Sequence, residues 1–156
     1  MKKIFITGVA GFLGSHLADY FLDLGFAVAG CDNLFGGDIT NVNSRVEFYT
    51  HDITVLAGFS DIMHGCDVVY HCAATAYEGV SNFSPSFICE NIFSGSINTF
   101  TAAIQAGAER IVFCSSMARY GTNQTPFMET YEPRPQDPYG IAKESAERVL
   151  INLCET

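Results

Sequence analysis

Short apolar runs alternate along this chain with stretches whose apolar positions recur every three or four residues. "KIFIT" (3–7) is β-branched and apolar, "GFLGSHLADYFLDLG" (11–25) has helical apolar spacing closed by a glycine, and "AVAGCD" (27–32) is apolar again. The rhythm predicts a third strand at "RVEFYTHDI" (45–53), a short helix at "VLAGFSDIMHG" (55–65) and a buried strand at "CDVVYHCAA" (66–74). A loop rich in Gly, Ser, Asn and Pro covers 75–86, a long helix covers 88–107, and "RIVFCSS" (110–116) is a fifth strand. A polar loop with prolines at 126, 133, 135 and 138 leads into a last helix, 138–155. Strand and helix alternating at these lengths predict a doubly wound α/β domain, a parallel sheet with helices on both faces. No internal repeat, low-complexity tract or interdomain linker interrupts the pattern.

Composition narrows the partners. With 156 residues and 48% hydrophobic content the chain fits one folded core. Eight basic against seventeen acidic residues give a net charge of −9, which repels a nucleic-acid backbone or an anionic membrane. Any nucleotide must be held by local groups. The six cysteines, 31, 66, 72, 89, 114 and 154, have no C-x-x-C spacing and lie mostly in apolar runs, so buried reduced thiols in a cytoplasmic protein are expected, not a disulfide scaffold or zinc site. His16, His51, His64 and His71 are scattered without metal-ligand spacing, and no metal is expected. "MKKIFITG" has too short an apolar stretch for a signal peptide or membrane span.

The turn after the first strand, "TGVAGFLGSH", carries glycines at 8, 11 and 14. This spacing permits a tight turn and close backbone approach to a pyrophosphate, with a helix N-terminus supplying N–H groups and positive dipole. Alone it is also compatible with a glycine turn that holds no ligand. Asp32, eighteen residues past Gly14 at the end of the second strand, is placed to accept hydrogen bonds from an adenosine ribose diol.

A second group lies near the end of the chain. In "QDPYGIAK", Asp137 caps the last helix, Pro138 suits its first position, and Tyr139 and Lys143 follow one turn apart on one face. A lysine ammonium beside a phenol favours phenolate, which lets a tyrosine exchange a proton with a substrate hydroxyl. The same spacing also occurs in ordinary amphipathic helices. Ser115 and Ser116, ending the fifth strand at the carboxyl edge of the sheet, stand where doubly wound domains bind ligands, and a serine there can hydrogen-bond the same hydroxyl.

Taken in order, "TGVAGFLGSHL", "CDNL" (31–34), "HDI" (51–53), "HCAA" (71–74), Asn91 in "ENIFSGS", "SSMARYG" (115–121) and "PYGIAK" (138–143) resemble the N-terminal part of an extended short-chain dehydrogenase/reductase, the NAD-dependent nucleotide-sugar epimerase/dehydratase family. The resemblance runs over nearly the whole chain. It implies an NAD site in which Gly8, Gly11, Phe12, Leu13 and Gly14 line the pyrophosphate, Asp32 and Asn33 the adenosine ribose, and Asp52 and Ile53 the adenine. Ala73, Ala74 and Asn91 would lie along the cofactor, with Ser115, Tyr139 and Lys143 also against it. The implied catalytic group is Ser116, Tyr139 and Lys143, and Tyr120 is then structural.

Family dehydratases, and the related decarboxylase, usually carry an acid just after the catalytic Ser/Thr; this chain has Met117 and Ala118 there. Oxidation of a sugar C4 hydroxyl and return of the hydride to the other face needs only Tyr, Lys and Ser, so epimerisation of a nucleotide sugar is favoured. Keto-sugar reduction, dehydration and a non-catalytic NAD-binding module remain open. Family members extend well past this length into a smaller sugar-nucleotide domain, so the resemblance implies that the chain corresponds to the cofactor-binding part, with the substrate domain absent. Whether it is a cut piece, a shortened gene product or a domain completed by another chain stays open. In the family the helices corresponding to 88–107 and 138–155 commonly pair with their copies, which implies a homodimer.

Overall fold

Alternation along β1 (Lys3–Thr7) sends Ile4 and Ile6 into one buried cluster and Phe5 into another. The computed structural model describes residues 2–155. They form two compact units, one made of the chain up to Ala74 with Asn98–Cys114, the other of Thr75–Ile97 with the chain from Ser115 onward.

The first unit holds a five-stranded sheet in the order β3-β2-β1-β4-β5, with β2 (Ala27–Asp32), β3 (Glu47–Thr50), β4 (Val68–His71) and β5 (Arg110–Phe113) all parallel to their neighbours. On one face Ala18 and Leu22 of α1 (Phe12–Asp23) pack with Ile4, Ile6 and Val28. On the other, Phe59 and Met63 of α2 (Phe59–Met63) and Ala102 and Ala103 from the helix ending at Gln105 pack with Phe5, Ala29 and Val69. The doubly wound sheet expected from the sequence is therefore present. Its strand order reverses beside β1, which lies between β2 and β4. In such sheets ligands bind in the crevice at this reversal.

Several elements are shorter than their apolar patterns. The third strand loses its start because the Asn43 side chain takes the Arg45 N–H at 3.0 Å, and it ends at Thr50. Such side-chain bonds compete with the ladder. The helix expected over 55–65 keeps only α2, between left-handed glycines at 58 and 65. Glu78–Phe83, expected as loop, forms a 3₁₀ helix. The long helix begins earlier than its pattern, as α3 (Pro85–Cys89), and continues through a π-helical turn (Glu90–Ser94) into α4 (Gly95–Gln105), after which Gly107 turns left-handed at φ 80°.

In the second unit the core is Ile88, Ile92, Tyr139 and Ala142, with Phe93 and Ala118 against it. Here α5 (Pro138–Glu155) starts as its sequence predicts: Asp137 Oδ1 accepts the Gly140 N–H at 2.8 Å. Asp137→Ala should cost about 1 kcal/mol and lower the melting temperature by about 2–4 °C; an unchanged melting curve would show that this cap contributes nothing.

The cysteines depart in part from expectation. Cys31 and Cys66 are buried and Cys72 and Cys114 half-buried, but Cys89 on α3 is exposed, as is Cys154 on α5, where all of residues 151–155 are exposed. Burial beside the charges of Asp32 and Asp52 pushes the Cys31 thiol far up, so it is inert. His71 is fully buried, bonded to Thr7 Oγ1 at 2.7 Å and stacked on Phe113; His16 and His51 meet backbone carbonyls. Among the described residues no group of three or more His, Cys, Asp or Glu is placed to hold a metal ion, and no helix is long and apolar enough to cross a membrane.

Candidate active site

The site residues expected from the sequence fall into two groups, one in each unit. In the first, the glycine turn folds so closely that side chains are excluded. A Cβ at Gly14 would stand 2.1 Å from the Gly8 carbonyl oxygen, and one at Gly8, whose φ is 71°, 2.8 Å from the Ala73 Cα. The Gly11 cap of α1 offers no side chain, the first turn has no acid, and Phe12 is 84% exposed. Unclaimed N–H groups and the positive end of the helix dipole are thus open to an anion. Gly8, Gly11, Gly14, Asp32 and Ala73 are brought together here.

Asp32, 9% exposed, closes the turn from the end of β2, accepting the Ala10 N–H at 3.1 Å and the Leu34 N–H at 2.8 Å. Each oxygen keeps acceptor capacity for a further donor. Beside it Asn33 Nδ2 donates to Asp52 Oδ2 at 2.9 Å. Burial opposes ionisation of Asp52, but hydrogen bonds from Asn33 and Thr54 outweigh it and hold the carboxyl below the usual range. Ile53 is buried, and Asn98, a residue no motif singled out, donates to its carbonyl at 3.1 Å. Ala73 donates its N–H to Thr7 Oγ1 at 3.2 Å and Ala74 is exposed. Phe12 and Leu13 both project into solvent.

In the second unit, the paired serines reach one stripe of α5. Tyr139, Lys143 and Glu147 follow at four-residue steps. Ser116 hydrogen-bonds the Tyr139 phenol, while Ser115 Oγ donates to Glu147 Oε2 at 2.7 Å. Arg119 Nη1 lies 2.7 Å from Glu147 Oε1, which holds the serine loop to the helix at a second point. Tyr139 is 5% exposed and Lys143 2%. Ser116 Oγ also accepts the Ala118 N–H at 3.1 Å and lies 3.5 Å from Glu78 Oε1. Tyr120 stacks on Phe127 with Arg119 over its ring, a packing role. In the π turn, Asn91 Nδ2 donates back to the Phe87 carbonyl at 2.9 Å.

Electrostatics at Tyr139 run opposite to the expectation from Lys143. Burial holds the phenol above the ordinary tyrosine range, and the charges of Glu78 and Asp137 add to this, with the Ser116 hydrogen bond acting the other way. Glu78 and Glu147, the two acids that touch the serine pair, have no signature in the sequence: they stand 38 and 32 positions away from their partners.

The segment after the serines is pinched at its base. Arg134 donates its N–H to the Arg119 carbonyl at 2.8 Å and accepts the Thr122 N–H at 3.2 Å, and a Cβ at Gly121 would stand 1.8 Å from the Arg134 oxygen. Beside this neck lies an open cleft of about 490 Å³, lined by Glu78, Met117, Ala118, Gly121, Phe127, Gln136 and Asp137.

A family model described as the NAD dependent epimerase/dehydratase family matches residues 4–156. UDP-glucose 4-epimerase of Streptomyces lividans is 32% identical over 152 residues, covering 95% of this chain and 46% of that protein. Among solved structures, UDP-glucose 4-epimerase of Thermotoga maritima with UDP-glucose superposes at a TM-score of 0.93 and 34% identity, over 98% of this chain and 51% of that one. The Thermus thermophilus UDP-glucose 4-epimerase complex with NAD gives 0.90 and 34%, over 96% and 50%. The chain thus spans about half the length of the relatives it matches.

Proposed function

Since the chain belongs to the NAD dependent epimerase/dehydratase family, we propose that it is the cofactor-binding part of an NAD-dependent nucleotide-sugar 4-epimerase. The observation that carries this reading is the Ser116–Tyr139 hydrogen bond on a helix whose next turn buries Lys143. Two hydroxyls so paired can hold one substrate oxygen between them.

The glycine turn fits the cofactor. Uncapped N–H groups at the start of α1 would receive the pyrophosphate, and Asp32 keeps acceptor capacity for the ribose diol. Asn33 would share the ribose with it, Asp52 and Ile53 would hold the adenine, and Ala73, Ala74 and Asn91 would line the rest of the cofactor. NAD, when bound, supplies a reversible hydride acceptor for the sugar C4.

The chain's own residues handle the proton. Tyr139 takes it from the C4 hydroxyl and returns it when the alcohol reforms, Ser116 holds the same oxygen, and Lys143 and Ser115 position the cofactor side of the group. The residues that follow Ser116 in the chain, Met117 and Ala118, offer no acid for elimination. The exposed apolar Ile104 on α4 and Ile141 and Ile151 on α5 favour pairing with a second copy of the chain, and six cysteine thiols suit the reducing cytoplasm.

Incubating the intact protein with NAD and a panel of nucleotide sugars tests the reading. Formation of the C4 epimer at unchanged mass supports it; NAD binding with no turnover of any sugar would mark a non-catalytic module instead.

Cofactor choice gives a separate check. Asp32 repels a 2′-phosphate, and the next cation along the chain, Arg45, is paired with Asp23 at 3.0 Å. NAD should therefore bind more tightly than NADP. Asp32→Ala should weaken NAD binding and narrow the gap between the two by about tenfold, or about 1.4 kcal/mol. Calorimetry showing tighter NADP binding by the parent protein would overturn the assignment.

A further inference from the structure

Of the two acids that no motif accounts for, Glu78 is the one that lines the cleft. Its carboxylate oxygen lies 3.5 Å from Ser116 Oγ, its charge is felt at the Tyr139 phenol, and it lines the cleft beside the serine loop. The other acid of that lining, Asp137, has one oxygen committed to the Gly140 N–H. Among the described residues that line the cleft there is no lysine, arginine or histidine.

On the reading that Ser116 and Tyr139 hold the C4 hydroxyl, we propose that Glu78 selects the sugar, accepting a hydrogen bond from a hydroxyl next to the reacting carbon and rejecting sugars that carry a carboxylate there. The argument is one of adjacency. In a pyranose the substituents on C3 and C5 flank C4, so a sugar seated with its C4 oxygen on Ser116 presents one of them to a group 3.5 Å from that serine. In a neutral hexose both flanking groups carry hydroxyls, and a hydroxyl donates well to a carboxylate. In a uronic sugar the C5 substituent is itself a carboxylate. Seating it would bring two like charges together where no lining cation offsets them, and such repulsion suppresses wrong partners. The surroundings are thus built against an acidic sugar as well as for a neutral one.

The experiment uses the intact protein with NAD and two probes, UDP-glucose and UDP-glucuronate, in the parent, Glu78→Gln and Glu78→Asp forms, each checked for folding by circular dichroism. The parent should favour UDP-glucose in kcat/KM. Glu78→Gln should narrow that ratio at least about tenfold, mainly through a lower KM for UDP-glucuronate, as expected when a repulsive charge is removed. Glu78→Asp, which keeps the charge, should preserve the preference. A parent that converts UDP-glucose while Glu78→Gln leaves the ratio unchanged overturns this inference alone. So does a parent whose product from both sugars has lost water, with that product equally diminished in Glu78→Gln, which would make Glu78 an elimination catalyst. A parent that converts neither probe but epimerises another nucleotide sugar overturns this inference alone, and one that converts no nucleotide sugar overturns the epimerase reading and this inference with it.

Discussion

Tyr139→Phe should lower kcat by about a hundredfold to ten-thousandfold, the range for losing a positioned proton carrier, while leaving NAD affinity unchanged. The substitution deletes one hydroxyl from a ring already packed against Ile88, Ile92 and Ala142, so the core of its unit is preserved. What disappears is the atom that Ser116 bonds and that we assign to the C4 proton. Because burial and the charges of Glu78 and Asp137 hold the phenol above the ordinary range, the parent carries it protonated at neutral pH. The proton-accepting form therefore grows as pH rises, and turnover should climb with alkalinity in the parent and stay flat in the phenylalanine variant. Steady-state rates for Tyr139→Phe close to those of the parent would remove the tyrosine from the chemistry.

Gly14→Ala should destabilise the protein by about 3 kcal/mol, the upper end of typical overpacking costs, and lower its melting temperature by about 6–12 °C. The added methyl would stand 2.1 Å from the Gly8 oxygen and 2.9 Å from the Val9 Cα, all backbone, which has no rotamer by which to yield. Relief requires opening the turn, and that would also displace the N–H groups proposed for the pyrophosphate, so NAD binding should fall in parallel. Gly36, in open space, is the control: Gly36→Ala should leave both measurements near those of the parent. A Gly14→Ala protein that melts with the parent and binds NAD as well would show that the turn is looser than its packing indicates.

The sheet was legible because its signals are local. Alternation in "KIFIT", the glycine stop after "GFLGSHLADYFLDLG" and the Asp137–Pro138 start of the last helix each act within a few residues, and each reappears in place. Strand ends were less so: at the start of the third strand Asn43 captures the Arg45 N–H, which periodicity counts as a ladder donor. The Ser116, Tyr139 and Lys143 spacing was legible for the same local reason, but their electrostatic setting was not. Lys143 is near Tyr139 in sequence and suggested a lowered phenol pKa; burial and Glu78, which arrives from a distant 3₁₀ helix, reverse the direction. Glu147 was equally hidden, because its meaning lies in Ser115 and Arg119, and only the fold brings them to it.

The pinched neck between Arg119 and Arg134 has a consequence for evolution and engineering. Two backbone bonds and the close approach of Gly121 lock the ends of residues 122–133 independently of what lies between, while Ser116 and Tyr139 are held by their own partners outside the neck. Lengthening such a closed surface segment costs little, since loop entropy grows only slowly with length. Residues 122–133 are therefore a cassette: they can be exchanged or extended, with Phe127 carrying one wall of the cleft along, while the serine and tyrosine stay where they are.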